Sequence, residues 1–313
     1  MTPSQPRVIL TGGSGFIGRH AVEPLLRAGF EVHALGRRAV PGARCHGVDL
    51  LNSEQTAATV QRIGATHLLH LAWDVTHGLF WNAPCNLDWT AASLNLYRAF
   101  VTAGGRRAVM AGSCAEYDWS TGILDEDTAP LRPATLYGTA KHALHQLLTM
   151  AATRDQVELA WGRVFFLYGP HEGQARLIPS VILPLLQGSP AAVGEGRARR
   201  DFMHVQDAAD AFVATLASTI TGPVNIATGI DRPMRDVVAA IGEQIGKPEL
   251  IRFGGRPTPA NEPPVLATAA SRLRSIGFEP RFSMQTGLAH TIAWWRQAGL
   301  HAADKIRSRH GAS

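Results

Sequence analysis

The 313-residue sequence has little cysteine and no long apolar run. Its three cysteines, Cys45, Cys85 and Cys114, lack the spacing of metal ligands, and their odd number argues against a disulfide framework. No apolar stretch reaches the roughly 20 residues of a membrane-spanning helix, and no charged leader precedes the first strand pattern. We therefore expect a cytoplasmic protein with no metal site and no membrane partner.

Positive charge is also sparse and spread out. Thirty Lys and Arg against 25 Asp and Glu give a formal net charge of +5, without a basic stripe. Proteins that bind nucleic acids usually gather positive charge on one face. The sequence therefore predicts no nucleic-acid partner, whereas its 45% hydrophobic content is enough to bury a sizeable core.

Short β-branched segments alternate with helix-length segments from residue 7 to about residue 165. This alternation is typical of βαβ units around a parallel sheet. The predicted strands are 7–10, 31–35, 67–71, 108–111 and 159–166. The most regular apolar spacing predicts helices over 87–100 and 137–150.

The pattern loosens after Tyr168, where prolines interrupt shorter elements. We predict a dinucleotide-binding unit over residues 1–168, to which 201–228 returns because 224–227 again has a strand pattern. A smaller α/β unit over 169–200 and 229–313 is expected to bind the substrate.

A glycine-rich turn, Thr11-Gly-Gly-Ser-Gly-Phe-Ile-Gly18, joins the first predicted strand to a helix. Its first spaced glycine allows the sharp turn, the second lets the backbone approach a pyrophosphate, and the third lets the helix pack closely on the strand. The turn predicts a Rossmann-like, doubly wound α/β fold that binds a nicotinamide dinucleotide. The candidate cofactor-binding residues here are Gly12, Gly15, Phe16, Ile17 and Gly18.

The second predicted strand ends in Gly36-Arg37-Arg38, where NAD-preferring enzymes place a carboxylate for the adenosine ribose. Two guanidinium groups can instead accept a 2′-phosphate, which favours NADP, with NAD as the alternative. The same arginines could be solvated residues at a strand end. Asp49 could accept a hydrogen bond from adenine or cap a turn. Further candidate cofactor contacts are Leu50, Leu71 and Ala72.

Tyr137 and Lys141 are four residues apart in a helical segment, so their side chains share one face. A neighbouring ammonium favours the phenolate of a tyrosine, whose free pKa is about 10. Tyr137 can then exchange a proton with a substrate oxygen while a hydride moves at the adjacent carbon. Ser113, at the end of a predicted strand, is the third candidate catalytic residue.

Together these motifs resemble the extended branch of the short-chain dehydrogenase/reductase superfamily, which contains nucleotide-sugar epimerases, dehydratases and reductases. The resemblance covers nearly the whole chain. It also includes His70-Leu71-Ala72, Asn86, Leu167-Tyr168-Gly169-Pro170, Arg200-Asp201-Phe202-Met203-His204-Val205 and Val224-Asn225-Ile226.

The resemblance implies that Ser113 hydrogen-bonds the substrate oxygen, that Tyr137 is the acid–base, and that Lys141 also holds the nicotinamide ribose. A register shifted by one residue would put Cys114 in place of Ser113. Ser113 is preferred because a hydroxyl donates and accepts, whereas a thiol is a weak donor. The resemblance further implies a homodimer formed by the helices 87–100 and 137–150.

Substrate contacts are expected mainly from the second half of the chain. The resemblance places Arg200 at the phosphates of a sugar nucleotide, and its planar fork suits a diphosphate. Arg176 and Arg256 are weaker candidates that could equally be surface residues, and Glu116 is a further candidate. Four tryptophans are either core residues or a hydrophobic wall against a deoxysugar. They are Trp73, Trp81, Trp89 and Trp119.

The residues after Ser113 discriminate among reactions. Similar 4,6-dehydratases carry an Asp-Glu pair there, whereas this chain has Cys114 and Ala115, and Glu116 alone poorly serves an elimination that needs an acid and a base. Since Gly36-Arg37-Arg38 favours NADP, and NADPH supplies net reducing equivalents, we predict an NADP(H)-dependent oxidoreductase that reduces a keto group, at C4, of a nucleotide-activated deoxysugar. The alternatives are a nucleotide-sugar 4-epimerase or 4,6-dehydratase with tightly bound NAD, and a non-catalytic dinucleotide sensor.

Overall fold

The structure is a computed structural model that describes residues 5–258 and 262–310. The first four residues of the predicted dinucleotide-binding unit, and residues 259–261 and 311–313 of the predicted substrate unit, lie outside the described residues. Its strands are β1 Arg7–Thr11, β2 Glu31–Gly36, β3 Arg44–Gly47, β4 His67–His70, β5 Arg107–Ser113, β6 Glu158–Val164, β7 Phe166–Tyr168, β8 Ala191–Ala192, β9 Arg199–His204, β10 Gly222–Ile226, β11 Asp231–Pro233, β12 Ile251–Arg252 and β13 Val265–Leu266. Its α-helices are α1 Gly18–Arg27, α2 Ser53–Ile63, α3 Cys85–Thr102, α4 Leu136–Asp155, α5 Leu177–Leu186, α6 Val205–Ala217, α7 Met234–Ile245, α8 Ser271–Ser275 and α9 Met284–His310.

A seven-stranded parallel sheet in the order β10-β6-β5-β4-β1-β2-β3 forms the centre of the larger unit. Its inner strands are almost entirely buried, as expected for a parallel sheet covered on both faces. Apolar residues of α1 and α6 pack on one face, and those of α2, α3 and α4 pack on the other. The predicted α/β class and the Rossmann-like doubly wound sheet are confirmed.

The smaller unit has its own sheet, β11-β9-β13, with β7 also paired to β9. A separate apolar core lies among α5, α7 and α9. The segment 201–228 divides between the two units, because β9 pairs with β7, β11 and β13 whereas β10 pairs in parallel with β6. Among the described residues, no helix combines the length and the apolar character needed to cross a bilayer.

Several element boundaries differ from the sequence-based prediction. The single strand predicted over 159–166 is two strands, β6 and β7, which pair in different sheets. The edge strand β3 escaped prediction because its four residues are mostly exposed and lack apolar alternation. Helix α3 begins at Cys85, so Asn86 lies inside its first turn. Helix α4 begins at Leu136 because the Thr135 hydroxyl accepts a hydrogen bond from the Gly138 amide at 3.1 Å.

Arg107, the first residue of β5, holds the end of α6 against the sheet. Its buried guanidinium donates to the carbonyl oxygens of Leu216 at 2.7 Å, Thr215 at 2.6 Å and Ile220 at 2.9 Å. It also pairs with Glu158 at 3.1 Å. One side chain therefore satisfies the carbonyl groups that the end of a helix leaves without partners.

Replacing Arg107 with Met should lower the free energy of unfolding by about 3 kcal/mol or more, because buried carbonyl groups lose a charged donor. Urea denaturation followed by circular dichroism measures this change. The exposed neighbour Arg106 offers the matched control, and Arg106→Met should change stability by less than about 0.5 kcal/mol. Equal effects of the two substitutions would contradict the assignment of Arg107 as a structural staple.

Candidate active site

The glycine-rich turn after β1 has the geometry expected of a dinucleotide cradle. Gly12 has φ +70°, and a Cβ atom at this position would lie 2.8 Å from the backbone of Leu71 and of Ala72. A Cβ atom on Gly18 would lie 2.1 Å from the Gly12 carbonyl oxygen. Ile17, which precedes α1, supplies no side-chain cap, so the positive end of the helix dipole faces the turn. The turn therefore fits a pyrophosphate.

The residues after β4 lie against this turn. The Ala72 amide donates to the Thr11 hydroxyl at 3.3 Å, and that hydroxyl is 2.7 Å from Nδ1 of His70. The Nε2 atom of His70 is 2.9 Å from the Ser93 hydroxyl on α3. Burial lowers the pKa of His70 to about 3, so its imidazole is neutral and links the ends of β1 and β4 to α3. The structure thus brings Leu71 and Ala72 to the turn with Phe16 and Ile17.

The end of β2 is positively charged. Arg37 and Arg38 are exposed, and burial together with the charge of Arg38 lowers the pKa of Arg19, which bonds the carbonyl oxygen of Ser14 in the turn. Leu50 is buried nearby in the core on the α2 side. One carboxylate oxygen of Asp49 accepts the Leu51 amide at 3.2 Å, and its contact with adenine stays a prediction.

Ser113 ends β5, and its side chain lies beside Tyr137, which is in the first turn of α4. Burial raises the pKa of the Tyr137 phenol, and the neighbouring Ser113 opposes this effect. Cys114 packs instead with Tyr117 and Leu124 in an apolar cluster. The structure therefore brings Ser113 to the tyrosine, as the preferred register predicts.

Lys141 lies beneath this pair and is 3% exposed. Its ammonium donates to the Ala111 carbonyl oxygen at 2.7 Å and lies 3.7 Å from the centre of the Trp73 ring. Burial lowers the pKa of Lys141 to about 7, and the negative charge of Glu116 opposes this effect. The sequence led us to expect a lowered pKa for Tyr137. The structure gives a raised one, because the loss of water around the phenol dominates.

Aromatic side chains enclose the Tyr137 ring. Trp73, Phe80 and Trp81 pack edge-on against it, with ring centres 6.4, 4.9 and 5.9 Å away. Trp119 packs on Trp81. Phe80 carried no signal in the sequence, because a single aromatic residue in a loop is placed only by the fold. Trp89 stacks on Trp73 at 6.3 Å, one layer away from the tyrosine.

A cavity of about 410 Å³ has Trp119 in its wall, but Ser113, Tyr137 and Lys141 do not line it. Its lining residues are Ala115, Tyr117, Asp118, Trp119, Ser120, Arg132, Ala134, Thr135, Glu262, Pro263 and Pro264. Arg200 is buried behind this wall, 3.5 Å from the carboxylate of Glu262, and also donates to the Arg199 carbonyl oxygen at 2.8 Å. Glu262 lies in a segment without a recognisable motif, so the sequence gave no sign of it.

The remaining substrate candidates separate. Arg176 precedes α5, with its guanidinium 5.9 Å from the centre of the Phe80 ring, beside the tyrosine. Arg256 is exposed next to β8, where its amide donates to the Val193 carbonyl oxygen. Glu116 requires a correction. It is fully buried, and its carboxylate accepts hydrogen bonds from the Ser113 amide, Trp161 and Arg163, so it is not a substrate contact.

A family model and several known proteins match most of this chain. Residues 8–227 match the family described as "NAD dependent epimerase/dehydratase family". The chain is 27% identical to UDP-glucose 4-epimerase of Azospirillum brasilense, over 95% of this chain and 94% of that protein. It is 26% identical to dTDP-6-deoxy-L-talose 4-dehydrogenase (NAD(+)) of Aggregatibacter actinomycetemcomitans, over 74% of this chain and 87% of that protein.

A solved structure gives the same picture. The UDP-glucose 4-epimerase of Thermus thermophilus, in complex with NAD, superimposes with a TM-score of 0.82 and 26% identity, over 93% of this chain and 99% of that one. The cofactor named for these relatives is NAD, whereas the sequence favoured NADP, which stays a prediction. The family match covers more than half of the chain, and the chain therefore belongs to the NAD-dependent epimerase/dehydratase family, in the extended branch of the short-chain dehydrogenases/reductases.

Proposed function

We propose that this enzyme reversibly oxidises the C4 hydroxyl of a nucleotide sugar with bound NAD, and that its net reaction is 4-epimerisation. The supporting observation is that Ser113, at the end of β5, lies beside the buried Tyr137 phenol, while the Lys141 ammonium bonds the Ala111 carbonyl oxygen two residues earlier on the same strand. This arrangement serves one proton transfer at one oxygen. The epimerases among the relatives support the same choice.

The residues of the chain divide the work at the reacting oxygen. A nicotinamide held by the glycine-rich turn would supply hydride transfer at the carbon that carries this oxygen, and inversion requires that the hydride return to the opposite face of that carbon. Tyr137 takes the hydroxyl proton, Ser113 hydrogen-bonds the same oxygen, and the Lys141 ammonium favours the phenolate. The aromatic side chains around Tyr137 exclude water, which strengthens these electrostatic interactions.

A dehydratase fits this site less well. Elimination needs a second acid–base group at the sugar, and the residues directly after Ser113 are Cys114, which is packed in an apolar cluster, and Ala115. The next carboxylate, that of Glu116, is bonded inside the protein. Simple oxidation and reduction need neither group.

A second candidate function is the NADPH-dependent reduction of a 4-keto deoxysugar. It is favoured by Arg37 and Arg38 at the end of β2, where they can accept a 2′-phosphate. Both candidate functions share three features. The substrate is a nucleotide sugar, its diphosphate contacts Arg200, and the enzyme is cytoplasmic. A diphosphate at Arg200 would have to compete with Glu262 for the guanidinium.

Turnover measured with the cofactor absorbance separates the two candidates. We expect UDP-glucose and UDP-galactose to interconvert with no net change in NADH. Stoichiometric loss of NADPH on adding a 4-keto sugar nucleotide would instead establish the reductase. Tyr137→Phe should lower kcat by about 10²–10⁴-fold, the usual contribution of a general acid–base, and leave cofactor affinity nearly unchanged. Tyr97→Phe, on α3 with its hydroxyl on Asp155, is the matched control and should keep full activity.

Cofactor choice is tested at the end of β2. Replacing Arg37 and Arg38 together with Gln should weaken NADP binding about tenfold or more and leave NAD binding unchanged, because only NADP carries the 2′-phosphate. Calorimetric titration of both cofactors into both proteins gives the dissociation constants. An unchanged affinity for NADP would assign the two arginines to the solvated surface.

We also propose a homodimer that uses the outer faces of α3 and α4. Three apolar side chains are exposed there: Leu87 at 61%, Leu147 at 55% and Met150 at 74%. Leu147→Glu combined with Met150→Glu should convert the dimer into a monomer in analytical ultracentrifugation, since burying two carboxylates is unfavourable. Ile230→Glu, an exposed apolar site outside these helices, should leave the dimer intact. A monomeric wild-type protein would refute this assembly.

A further inference from the structure

A buried ion pair lies directly behind the catalytic candidates. Glu116 is 0% exposed and Arg163 on β6 is 1% exposed, and the carboxylate accepts the Arg163 Nε–H at 3.1 Å. The other carboxylate oxygen accepts the Ser113 amide at 2.8 Å and the Trp161 indole N–H at 2.9 Å. Burying two charges costs free energy that good geometry only partly offsets, so stability alone does not explain the presence of this pair.

The surroundings of Arg163 exclude a metal site here. The ligand atoms of Glu116, His142 and His145 lie within 4.8 Å of one another. However, the guanidinium bonds Glu116 and lies 3.4 Å from Nδ1 of His145, so its positive charge opposes a second cation. Arg163 also donates to the Tyr117 hydroxyl at 2.8 Å. The cluster is therefore neutralised from within the chain.

Glu116 fixes the position of Ser113 through the backbone. Its carboxylate accepts the Ser113 amide, and the Ser113 hydroxyl in turn accepts the Ala115 amide at 3.2 Å. This reciprocal arrangement is a capping box over the short 3₁₀ turn Cys114–Glu116. The same carboxylate that pairs with Arg163 therefore fixes the backbone of Ser113, whose side chain lies beside Tyr137.

The same carboxylate lies close to Lys141, because it bonds the Ser113 amide while the Lys141 ammonium bonds the Ala111 carbonyl oxygen two residues earlier on β5. The groups around the ammonium are neutral His70 on β4, Trp73 after β4, the Ala111 carbonyl on β5 and Tyr137 on α4. Glu116 is the negative charge that raises the pKa of Lys141 against burial. Burial raises the pKa of the Tyr137 phenol most. The charges of Cys114 and Glu116 raise it further, and the charge of Arg176 lowers it.

We propose that Glu116 is a positioning residue of the reaction, whose carboxylate fixes Ser113 and holds a negative charge close to the Lys141 side chain. What the ammonium does for the substrate rests on the proposed function above. The carboxylate has no contact with the substrate in this role. It acts through the Ser113 amide and through its charge in a site of low dielectric constant, where one charge strongly affects another.

The chain offers an unusually direct test, because it contains only three lysines, Lys141, Lys247 and Lys305. In a Lys247→Arg/Lys305→Arg background, lysine labelled with ¹³C at Cε reports Lys141 alone by NMR. Its titration midpoint should lie near pH 7. Glu116→Gln should lower this midpoint by about one pH unit, since a nearby opposite charge favours the charged form of a lysine. An unchanged midpoint would overturn the proposal.

Two further variants separate charge from structure. Glu116→Asp keeps the charge and should keep the midpoint within about 0.3 pH unit of the parent, well inside the shift expected from losing it. Asp207 is a matched control, because it is a buried carboxylate that accepts the amides of Arg281 and Phe282. Asp207→Asn should lower stability without moving the Lys141 midpoint.

Glu116→Gln also lowers the stability of the fold, because it leaves the Arg163 charge buried without its partner. The double variant Glu116→Gln/Arg163→Met removes both charges, so its reference is Arg163→Met, in which Glu116 keeps its carboxylate. Should Glu116→Gln fail to fold, the double variant must show a lower Lys141 midpoint than Arg163→Met. A midpoint equal to that of its reference, the parent for Glu116→Gln and Arg163→Met for the double variant, refutes the proposal.

The pH dependence of turnover gives a second readout. Removing the Glu116 charge lowers the pKa of both Lys141 and Tyr137, so the profile of kcat should move to lower pH. A purely structural role would reduce kcat without moving the profile. The lysine titration requires no substrate, so a failure to find epimerase or reductase activity refutes the proposed function and leaves this test intact.

Discussion

Parallel pairing of β1, β4 and β5 is the constraint on which the site depends. The register joins Thr11 to His70 and His70 to Met110, so the carboxyl ends of the three strands meet at one edge of the sheet. The glycine turn follows β1, the Leu71-Ala72 segment follows β4, and Ser113 is the last residue of β5. A one-residue slip in any pairing would separate the cofactor turn from the catalytic hydroxyl and turn every side chain of that strand to the opposite face.

Burial gives this edge its chemistry. Tyr137, Lys141 and His70 are all shielded from water. Burial raises the pKa of Tyr137 and lowers the pKa of Lys141 and of His70, so it favours the neutral form of each side chain. The charges that persist must therefore be supported by nearby opposite charges or by carbonyl oxygens. Glu116, paired with Arg163 in the interior, is the negative charge that supports the Lys141 ammonium.

Local patterns predicted the parts of the site that local geometry determines. The glycine turn depends on backbone conformation within eight residues, and Tyr137 and Lys141 depend only on helical spacing. Contacts between residues far apart in the sequence could not be predicted from local patterns. Glu116 was expected at the substrate, and its contact with Arg163 joins positions 47 residues apart. The contact of Arg200 with Glu262 and the transfer of β9 to the smaller sheet likewise depend on tertiary packing.

The two outer strands of the large sheet share a further property. Strand β3 has only four residues, with Arg44 and His46 among them, and strand β10 contains Pro223, which has no amide hydrogen to donate. Short, charged or proline-bearing edges resist the addition of a strand from another molecule. The sheet is thus closed to edge-to-edge growth, and this protection against aggregation leaves helical faces as the surfaces through which copies of the chain can associate.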